Sequence, residues 1–386
     1  MGNKNNKIED KTLFKNIKSD YLLERIFSYM KENILLKIIK YNKSIQKRLN
    51  KNINDYINYY KIIIEIIPIK QYRILFINYP YNDKPFYHIV FDNQKKEEMK
   101  RGFFMKNDKV KKIKIIIDKE IKSLNNLFIY DSIEKINFIK FNRNDINDMS
   151  CMFNGCSSLK EINLNNFNTD NVTNMSNMFK GCSFLKEINF NNFNTDNVID
   201  MASMFNGCSS LIELNLNNFN TKKVTNMNSM FSFCSSLKKL EINNFNTNNV
   251  NNMSNMFNGC SSLLELNLYK FNTNNFTNMN GMFEKCSSLI KLNLNNFNTN
   301  NVSDMSSMFY LSSSLKELRL EDKKFNINNV TNMKWMFGYC SSLKELNINF
   351  NSINNTVNMK NMFSGCSDEL INKIRNKNIN EEAFDI

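Results

Sequence analysis

Hydrophobic positions recur in this chain with a period of 26 residues through more than half of its length. The five-residue pattern Met-x-x-Met-Phe occurs nine times, and every step between copies is 26 residues except one step of 28. Self-similarity at a fixed period is the sequence signature of an architecture built from stacked repeats. The copies begin at Met149, Met175, Met201, Met227, Met253, Met279, Met305, Met333 and Met359.

Each repeat contains two short patterns that predict two elements. The first is Leu-x-x-Leu-x-Leu, as in Leu159–Leu164, where residues two apart share one face of a strand. The second is Met175, Met178 and Phe179, whose i, i+3, i+4 spacing predicts a short helix with one apolar stripe. Because neither element covers its own apolar face, successive repeats are expected to stack on one another.

These patterns resemble the BspA-like leucine-rich repeats in their 26-residue, Met-rich form. The likeness is carried by Val172-Thr-Asn-Met175-Ser-Asn-Met178-Phe179, by the following Gly-Cys-Ser and by Leu-x-x-Leu-x-Leu, over about residues 110–366. It implies an α/β leucine-rich-repeat solenoid, with parallel strands on the concave side and short helices on the convex side. It also implies a recognition surface, often exposed or adhesive in microbes, and no enzyme activity.

A second resemblance lies near the N-terminus, where apolar residues predict a small helical region. Its pattern of Leu-Leu-x-x-Ile-Phe followed by a second apolar helix is similar to an F-box, although Tyr21 stands where the usual proline would be. The resemblance implies a substrate receptor of a cullin ubiquitin ligase, bound by a Skp-type adaptor. A helical cap or helper domain is the alternative. The implied adaptor-binding residues are Leu22, Leu23, Ile26, Phe27, Leu35 and Leu36.

The predicted domain organisation has five parts. They are a polar tail at 1–19, the F-box-like helical segment at 20–55, an unassigned linker or capping region at 56–109, the repeat solenoid at 110–366 and a C-terminal cap at 367–386. Atypical segments at both ends are expected because a stack of repeats needs caps.

Charge and composition narrow the classes of partner. Residues 1–120 carry 27 Lys and Arg against 14 Asp and Glu, which accounts for nearly all of the net charge of +14. These basic residues are scattered, which is typical of a solvated surface, so no nucleic-acid partner is expected. No signal peptide or transmembrane pattern is visible, which favours a cytoplasmic protein. The alternative is a cell-surface protein exported by an unrecognised route.

Residues that could carry chemistry are few. Eight of the nine Cys occupy one position of the repeat, which predicts a ladder of buried thiols rather than zinc ligands. His88 is the single histidine, in a context that predicts a strand, and no nucleotide-binding or hydrolase motif occurs. The Phe167 column is expected to stack as an aromatic spine. We therefore expect neither an enzyme nor a cofactor nor a metal site.

The expected binding surface is the concave face, which would expose the fifth position of each Leu-x-x-Leu-x-Leu motif. Asparagine dominates that position, so the departures from it are the better candidates for specificity. We expect a non-catalytic scaffold that binds a protein partner, with the ubiquitin-ligase receptor and a cell-surface adhesin as alternatives. The candidate partner-binding residues are Asn163, Asn189, Asn215, Glu241, Asn267, Tyr269, Lys270, Asn293, Arg319 and Asn347.

Overall fold

The computed structural model of the protein describes most of the chain. The described residues are 14, 17–69, 75–92, 98–99, 101–105, 108–128, 131–320, 324–350, 356–375, 377 and 379–384. Most of the tail predicted at 1–19 lies outside them.

Four short helices form an N-terminal head. Ser19 caps the first helix by accepting a hydrogen bond from the amide of Leu22, and Asn52 and Asp55 form a capping box on the fourth. Apolar residues spaced at helical intervals give the head its own core, separate from that of the rest of the chain. The helices are α1 (Asp20–Ser28), α2 (Glu32–Tyr41), α3 (Lys43–Arg48) and α4 (Ile53–Tyr60).

A six-stranded sheet follows the head, with a 3-10 helix (Tyr81–Phe86) before its second strand. Its order is β3-β2-β4-β1-β5-β6, and only the β5–β6 pair is parallel. Because β4 pairs with both β1 and β2, the domain boundary predicted at residue 110 runs through one sheet. The strands are β1 (Ile62–Pro68), β2 (Tyr87–Phe91), β3 (Glu98–Met99), β4 (Ile113–Ile117), β5 (Ile133–Lys140) and β6 (Glu161–Asn163).

The head is held to this sheet and to the loops beside it by polar contacts. The carboxylate of Glu120 accepts hydrogen bonds from Lys40 and from the hydroxyl of Tyr56, and Lys140 Nζ donates to the carbonyl of Asn58 at 2.8 Å. Burial raises the pKa of Glu120, but these two hydrogen bonds lower it by more, so the net shift is downward. The head is therefore anchored to the rest of the chain through polar and charged side chains.

Strand segments beyond β6 are three residues long and pair only locally. β7 (Glu213–Asn215) is parallel to β8 (Lys239–Glu241), and β9 (Lys291–Asn293) is parallel to β10 (Glu317–Arg319). In both pairs the register is one repeat, so equivalent residues lie side by side. The sheets have six, two and two strands, and they do not join into one continuous sheet within the described residues.

The predicted α/β leucine-rich-repeat solenoid is wrong. The described residues of the repeats contain no α-helix: besides the head, the only one is α5 (Asp368–Ile374), which follows the last repeat. The cause is the third residue of Met-x-x-Met-Phe, whose φ lies between +53° and +60° in all nine copies, whereas an α-helix needs about −63°. These residues are Cys151, Asn177, Ser203, Ser229, Asn255, Gly281, Ser307, Trp335 and Asn361.

Main-chain hydrogen bonds between neighbouring repeats replace the expected helical bonds. The amides of Met175, Asn177, Phe179 and Gly181 each donate to the carbonyl 25 residues later, at 2.7–3.0 Å. The amides between them bond locally, for example Met178 to the carbonyl of Met175 at 3.3 Å. Alternate amides therefore tie one repeat to the next, and the turns pack as a ladder.

The core of the repeats is a set of buried columns of Met, Phe, Cys and Leu. The continuous aromatic stack is the Phe of Met-x-x-Met-Phe: from Phe153 to Phe363 successive ring centroids are 5.2–5.9 Å apart and nearly parallel. The Phe167 column, predicted as the spine, is buried, but the parallel stacking seen there runs only from Phe141 to Phe219.

The prediction of a buried thiol ladder is confirmed. The cysteines are free, and Cys182 Sγ donates to the carbonyl of Phe153 at 3.2 Å, a contact that recurs along the column. Ser312 replaces Cys in one repeat and makes the equivalent bond to Phe283 at 2.8 Å.

The C-terminal segment closes the last repeat. Leu370 and Ile374 of α5 are buried, and the amides of Asn361 and Phe363 donate to the carbonyls of Glu382 and Ala383 at 2.8 Å. These are the bonds that a further repeat would otherwise make. No helix in the described part of the chain combines the length and hydropathy that a membrane span requires.

Candidate functional site

The outward side of β7–β10 and of the segment between them forms a charged surface, which we call the strand face. The middle residue of each strand is turned toward the core, as with Leu214 and Leu292, so the residues on either side of it point outward. An open depression of about 640 Å³ lies on this face. It is lined by Lys239, Leu240, Glu241, Asn243, Glu265, Leu266, Asn267, Lys291, Leu292, Asn293, Glu317 and Arg319.

Ion pairs across the depression follow from the one-repeat register. Glu317 accepts from Lys291 of the neighbouring strand at 3.0 Å and also from Arg319 of its own strand. These hydrogen bonds lower the pKa of Glu317. Lys239 pairs with Glu241 at 2.6 Å, and that hydrogen bond raises the pKa of Lys239. Because these ion pairs are exposed, they contribute little to stability.

The centre of the depression has a different character. Glu265 takes part in none of the ion pairs formed by the described residues, and it lies between the repeats that carry Lys239 and Lys291. The same repeat exposes two apolar side chains: Leu264 is 55% exposed and Tyr269 is 62% exposed. This repeat therefore presents both a carboxylate outside those ion pairs and exposed apolar side chains.

Four of the predicted partner-binding residues, Glu241, Asn267, Asn293 and Arg319, line this depression. Asn189 and Asn215 line a second depression of about 580 Å³ together with Glu187 and Phe190. Asn163 is half-buried and Asn347 is exposed, and neither lines either depression. Tyr269 and Lys270 do not line the first depression; they contact each other, with Lys270 Nζ 5.5 Å from the Tyr269 ring centroid.

Several of these asparagines have a structural task. The side-chain oxygens of Asn163, Asn215 and Asn293 each accept the amide hydrogen of the residue two positions later, at 3.0 Å. Such bonds hold the turn that follows each strand. The asparagines that repeat therefore maintain the turn, and the residues that depart from the pattern are freer to contact a partner.

Sequence reasoning missed part of the site. Lys239, Glu265, Lys291 and Glu317 line the depression but were not among the predicted partner-binding residues. The available signal was a change of sign: lysine occupies 239 and 291 in a column that is otherwise mostly glutamate.

The residues predicted to bind an adaptor do not share one surface. Leu23, Phe27 and Leu36 are in the core of the head, so they cannot contact a partner without opening it. Leu35 is half-buried, whereas Leu22 and Ile26 are exposed. The prediction is corrected for the three buried residues, because their side chains form the packing between the helices.

Groups capable of chemistry occur elsewhere in structural roles. His88 lies on β2 between two carboxylates, with Nδ1 2.8 Å from Glu98 and Nε2 2.8 Å from Asp118. Burial lowers the pKa of His88, but the hydrogen bonds to the two carboxylates outweigh it, and the net shift is upward. Among the residues that the structure describes, no group of three or more His, Cys, Asp or Glu is placed to hold a metal ion.

Comparison with known proteins places the repeats in a family. Four overlapping stretches, 97–213, 122–240, 182–292 and 262–378, match the family described as "Mycoplasma protein of unknown function, DUF285". Comparison with curated proteins gives no match. Three solved chains match, among them the one described as "Crystal structure of TLR13-ssRNA13 complex", at 15% identity and a TM-score of 0.16.

That alignment covers 63% of this chain and 50% of the other, so this chain spans about half of the length of that chain, and at this TM-score no argument follows from the likeness. The BspA-like and F-box resemblances stay predictions. The four family matches together extend from residue 97 to residue 378, and the protein therefore belongs to the family of Mycoplasma proteins of unknown function, DUF285.

Proposed function

We propose that the protein is a non-catalytic interaction protein whose strand face binds a segment of another protein. The observation that carries the proposal is the depression lined by Glu265, whose repeat also exposes Leu264 and Tyr269 and lies between repeats that carry ion pairs. Interfaces combine apolar anchors with a polar rim, and this surface has both.

The size of the surface fits a short segment. Five successive repeats, from β7 to β10, at about 4.8 Å spacing give a strip roughly 20 Å long. Leu264, Ile290 and Tyr269 would pack against apolar side chains of the partner, and Glu265 would pair with a Lys or Arg. The ion pairs around Glu317 would set the register and the rate of encounter more than the affinity.

Site-specific photo-crosslinking tests the proposal. A photoreactive amino acid at Asn267 of the full chain is expected to capture a discrete protein in the native cell, and Glu265→Lys in the same chain is expected to reduce the capture strongly. The matched control places the photoreactive residue at the exposed Lys222, away from the depression. Equal products from both positions, or capture that is unaffected by Glu265→Lys, would overturn the proposal.

A second candidate, adaptor binding by the head, is favoured by one observation. Leu22 and Ile26 on α1 and Tyr29 at its C-cap are exposed at i, i+4 and i+7 and so form one apolar stripe. A purified Skp-type adaptor should then bind the full chain and lose affinity with Leu22→Asp, whereas no binding to the unaltered chain would exclude this role. Surface labelling of intact cells decides between the cytoplasmic location and the adhesin-like alternative.

A further inference from the structure

The outer side of the Met-x-x-Met-Phe turns, which we call the turn face, changes its residue types near its C-terminal end. The second residue of the pentamer is Ser, Ala or Asn in the first seven copies but Lys334 and Lys360 in the last two. The third residue is small or polar in every copy except Trp335, the single tryptophan of the chain. Two further aromatic residues, Tyr310 and Tyr339, lie in the same turns.

These five residues form one patch. The Trp335 ring centroid is 5.3 Å from that of Tyr310 and 6.1 Å from that of Tyr339. The amide of Trp335 donates to the carbonyl of Lys360 at 3.2 Å, which places the two lysines on adjacent turns beside the rings. The three rings are partly exposed, and both lysines are exposed. We refer to Tyr310, Lys334, Trp335, Tyr339 and Lys360 as the aromatic–lysine patch.

The backbone at this patch indicates that the aromatic residues are not there for the turn itself. Trp335 has φ of +60° and Tyr339 has φ of +59°. Bulky residues are strained in this region, whereas Asn and Gly adopt it readily. Asn177 and Asn255 occupy the equivalent of Trp335, and Gly155 and Gly181 occupy the equivalent of Tyr339. Strained residues of this kind cluster at functional sites.

Two neighbouring glycines leave the space that the rings occupy. A Cβ at Gly338 would lie 2.7 Å from Trp335 and 3.0 Å from Tyr310, and a Cβ at Gly365 would lie 2.5 Å from Tyr339. The rings therefore lie close against the turns, and any side chain at these two positions would displace them.

Charge points to the class of partner. Neither Lys334 nor Lys360 belongs to an ion pair among those of the described residues, so both cations are available to an anionic group. Nucleic acid is disfavoured, because its binding depends on many phosphate contacts and the patch offers only two lysines. Trp and Tyr are the residues most enriched at protein-binding hot spots.

We infer that the aromatic–lysine patch is a second docking surface, which binds an acidic segment of a protein with an aromatic or proline anchor. The rings take the anchor, and the two lysines pair with carboxylates on either side of it. This surface is on the turns rather than on the strand face, so it does not depend on the proposed function of that face.

Panning a random peptide display library on the full chain tests the inference. The counter-selection uses Trp335→Asn with Tyr339→Gly, which restores residue types that other repeats carry at those positions. The enriched peptides should contain Asp or Glu next to an aromatic residue or proline. Their affinity should fall at least about tenfold in this variant and about tenfold with Lys334→Ser and Lys360→Ser together.

Two matched controls are available on the same face. Phe233→Gly removes an exposed aromatic residue at a position equivalent to Tyr339, and Lys180→Asn removes an exposed lysine; each should change affinity by less than about twofold. The inference is overturned if no peptides survive counter-selection, if the enriched peptides lack acidic residues, or if the lysine and aromatic variants bind them unchanged. It is also overturned if a labelled single-stranded oligonucleotide, and no acidic peptide, binds through these residues.

Discussion

The stability difference between two variants at Ser203 distinguishes a left-handed turn from an α-helix, because the two conformations predict opposite signs for it. Ser203 is the third residue of its pentamer, is half-buried and has φ of +54°. Its amide donates to the carbonyl of Asn228 at 2.8 Å, in the bonds that join neighbouring repeats. Asparagine already stands at the equivalent positions 177 and 255 with the same conformation, so Ser203→Asn requires no rearrangement of the backbone.

The magnitude follows from the backbone. In the left-handed region an ordinary L-residue such as alanine pays about 1–2 kcal/mol, whereas asparagine is among the few that adopt it routinely. Ser203→Asn should therefore be more stable than Ser203→Ala by about 1 kcal/mol. In an α-helix the order would be reversed, because alanine is favoured over asparagine there by up to about 0.7 kcal/mol.

Urea unfolding of the full chain, compared between the two variants, measures this difference. The control is Ala202→Asn, one residue earlier, where φ is not positive and where Asn228 and Asn280 occupy the equivalent place; it should gain no stability. If Ser203→Ala is as stable as Ser203→Asn or more stable, the left-handed turn is refuted at this position.

Three further predictions concern the core and the titrating groups. Phe257→Ala, within the continuous aromatic stack, should lower the free energy of unfolding by about 3–5 kcal/mol, measured with urea. Phe233 is exposed and has φ of +57°, so Phe233→Gly should be neutral or slightly stabilising. Equal losses of stability in the two variants would contradict the assigned packing. The pKa of His88 is raised in the folded state, so its contribution to stability is complete below about pH 6.5 and is lost as the pH rises through the folded pKa. The difference in unfolding free energy between the protein and His88→Gln should therefore shrink as the pH is raised from about 5.5, and a growing difference would reverse the assignment. Iodoacetamide should label the half-buried Cys151 first in the native protein, since burial raises the pKa of Cys208 to about 12; mass spectrometry that finds Cys208 labelled as fast would contradict its burial.

The repeat and its buried columns could be predicted because burial follows from period alone. Residues 26 apart have the same environment, so the Met, Phe, Cys and Leu positions were identified as core without knowledge of the backbone. The helices at 20–55 were also predictable, since their apolar residues recur at helical intervals.

The conformation of the turn could not be read from the same pattern. The i, i+3, i+4 spacing of Met175, Met178 and Phe179 places all three side chains in the core both in a helix and in two tight turns. The hydrophobicity of a residue does not indicate the sign of its φ. A weaker signal was present: Asn, Ser or Gly usually stands third in the pentamer, and Asn and Gly favour the left-handed region. That signal predicts turns, and it was outweighed by the apolar spacing.

The candidate site was predictable only in part. The departures at Glu241 and Arg319 stood out against asparagine, and both line the depression. The role of Lys291 and Glu317 depends on which neighbours the register brings together, which composition does not show. In the head, the pattern predicted α1 but did not distinguish the buried Leu23 from the exposed Leu22.

The central claim is that the repeated residues build the scaffold and that the residues departing from the repeat, together with Glu265, bind the partner. The most direct test replaces Glu241, Tyr269 and Arg319 together by asparagine, the residue that most repeats carry at these positions. The affinity of this variant for the protein that was crosslinked at position 267 is then measured, together with the midpoint of its urea unfolding. We predict a loss of affinity of at least about tenfold with an unchanged midpoint; unchanged affinity, or a loss of affinity explained by unfolding, would contradict the claim.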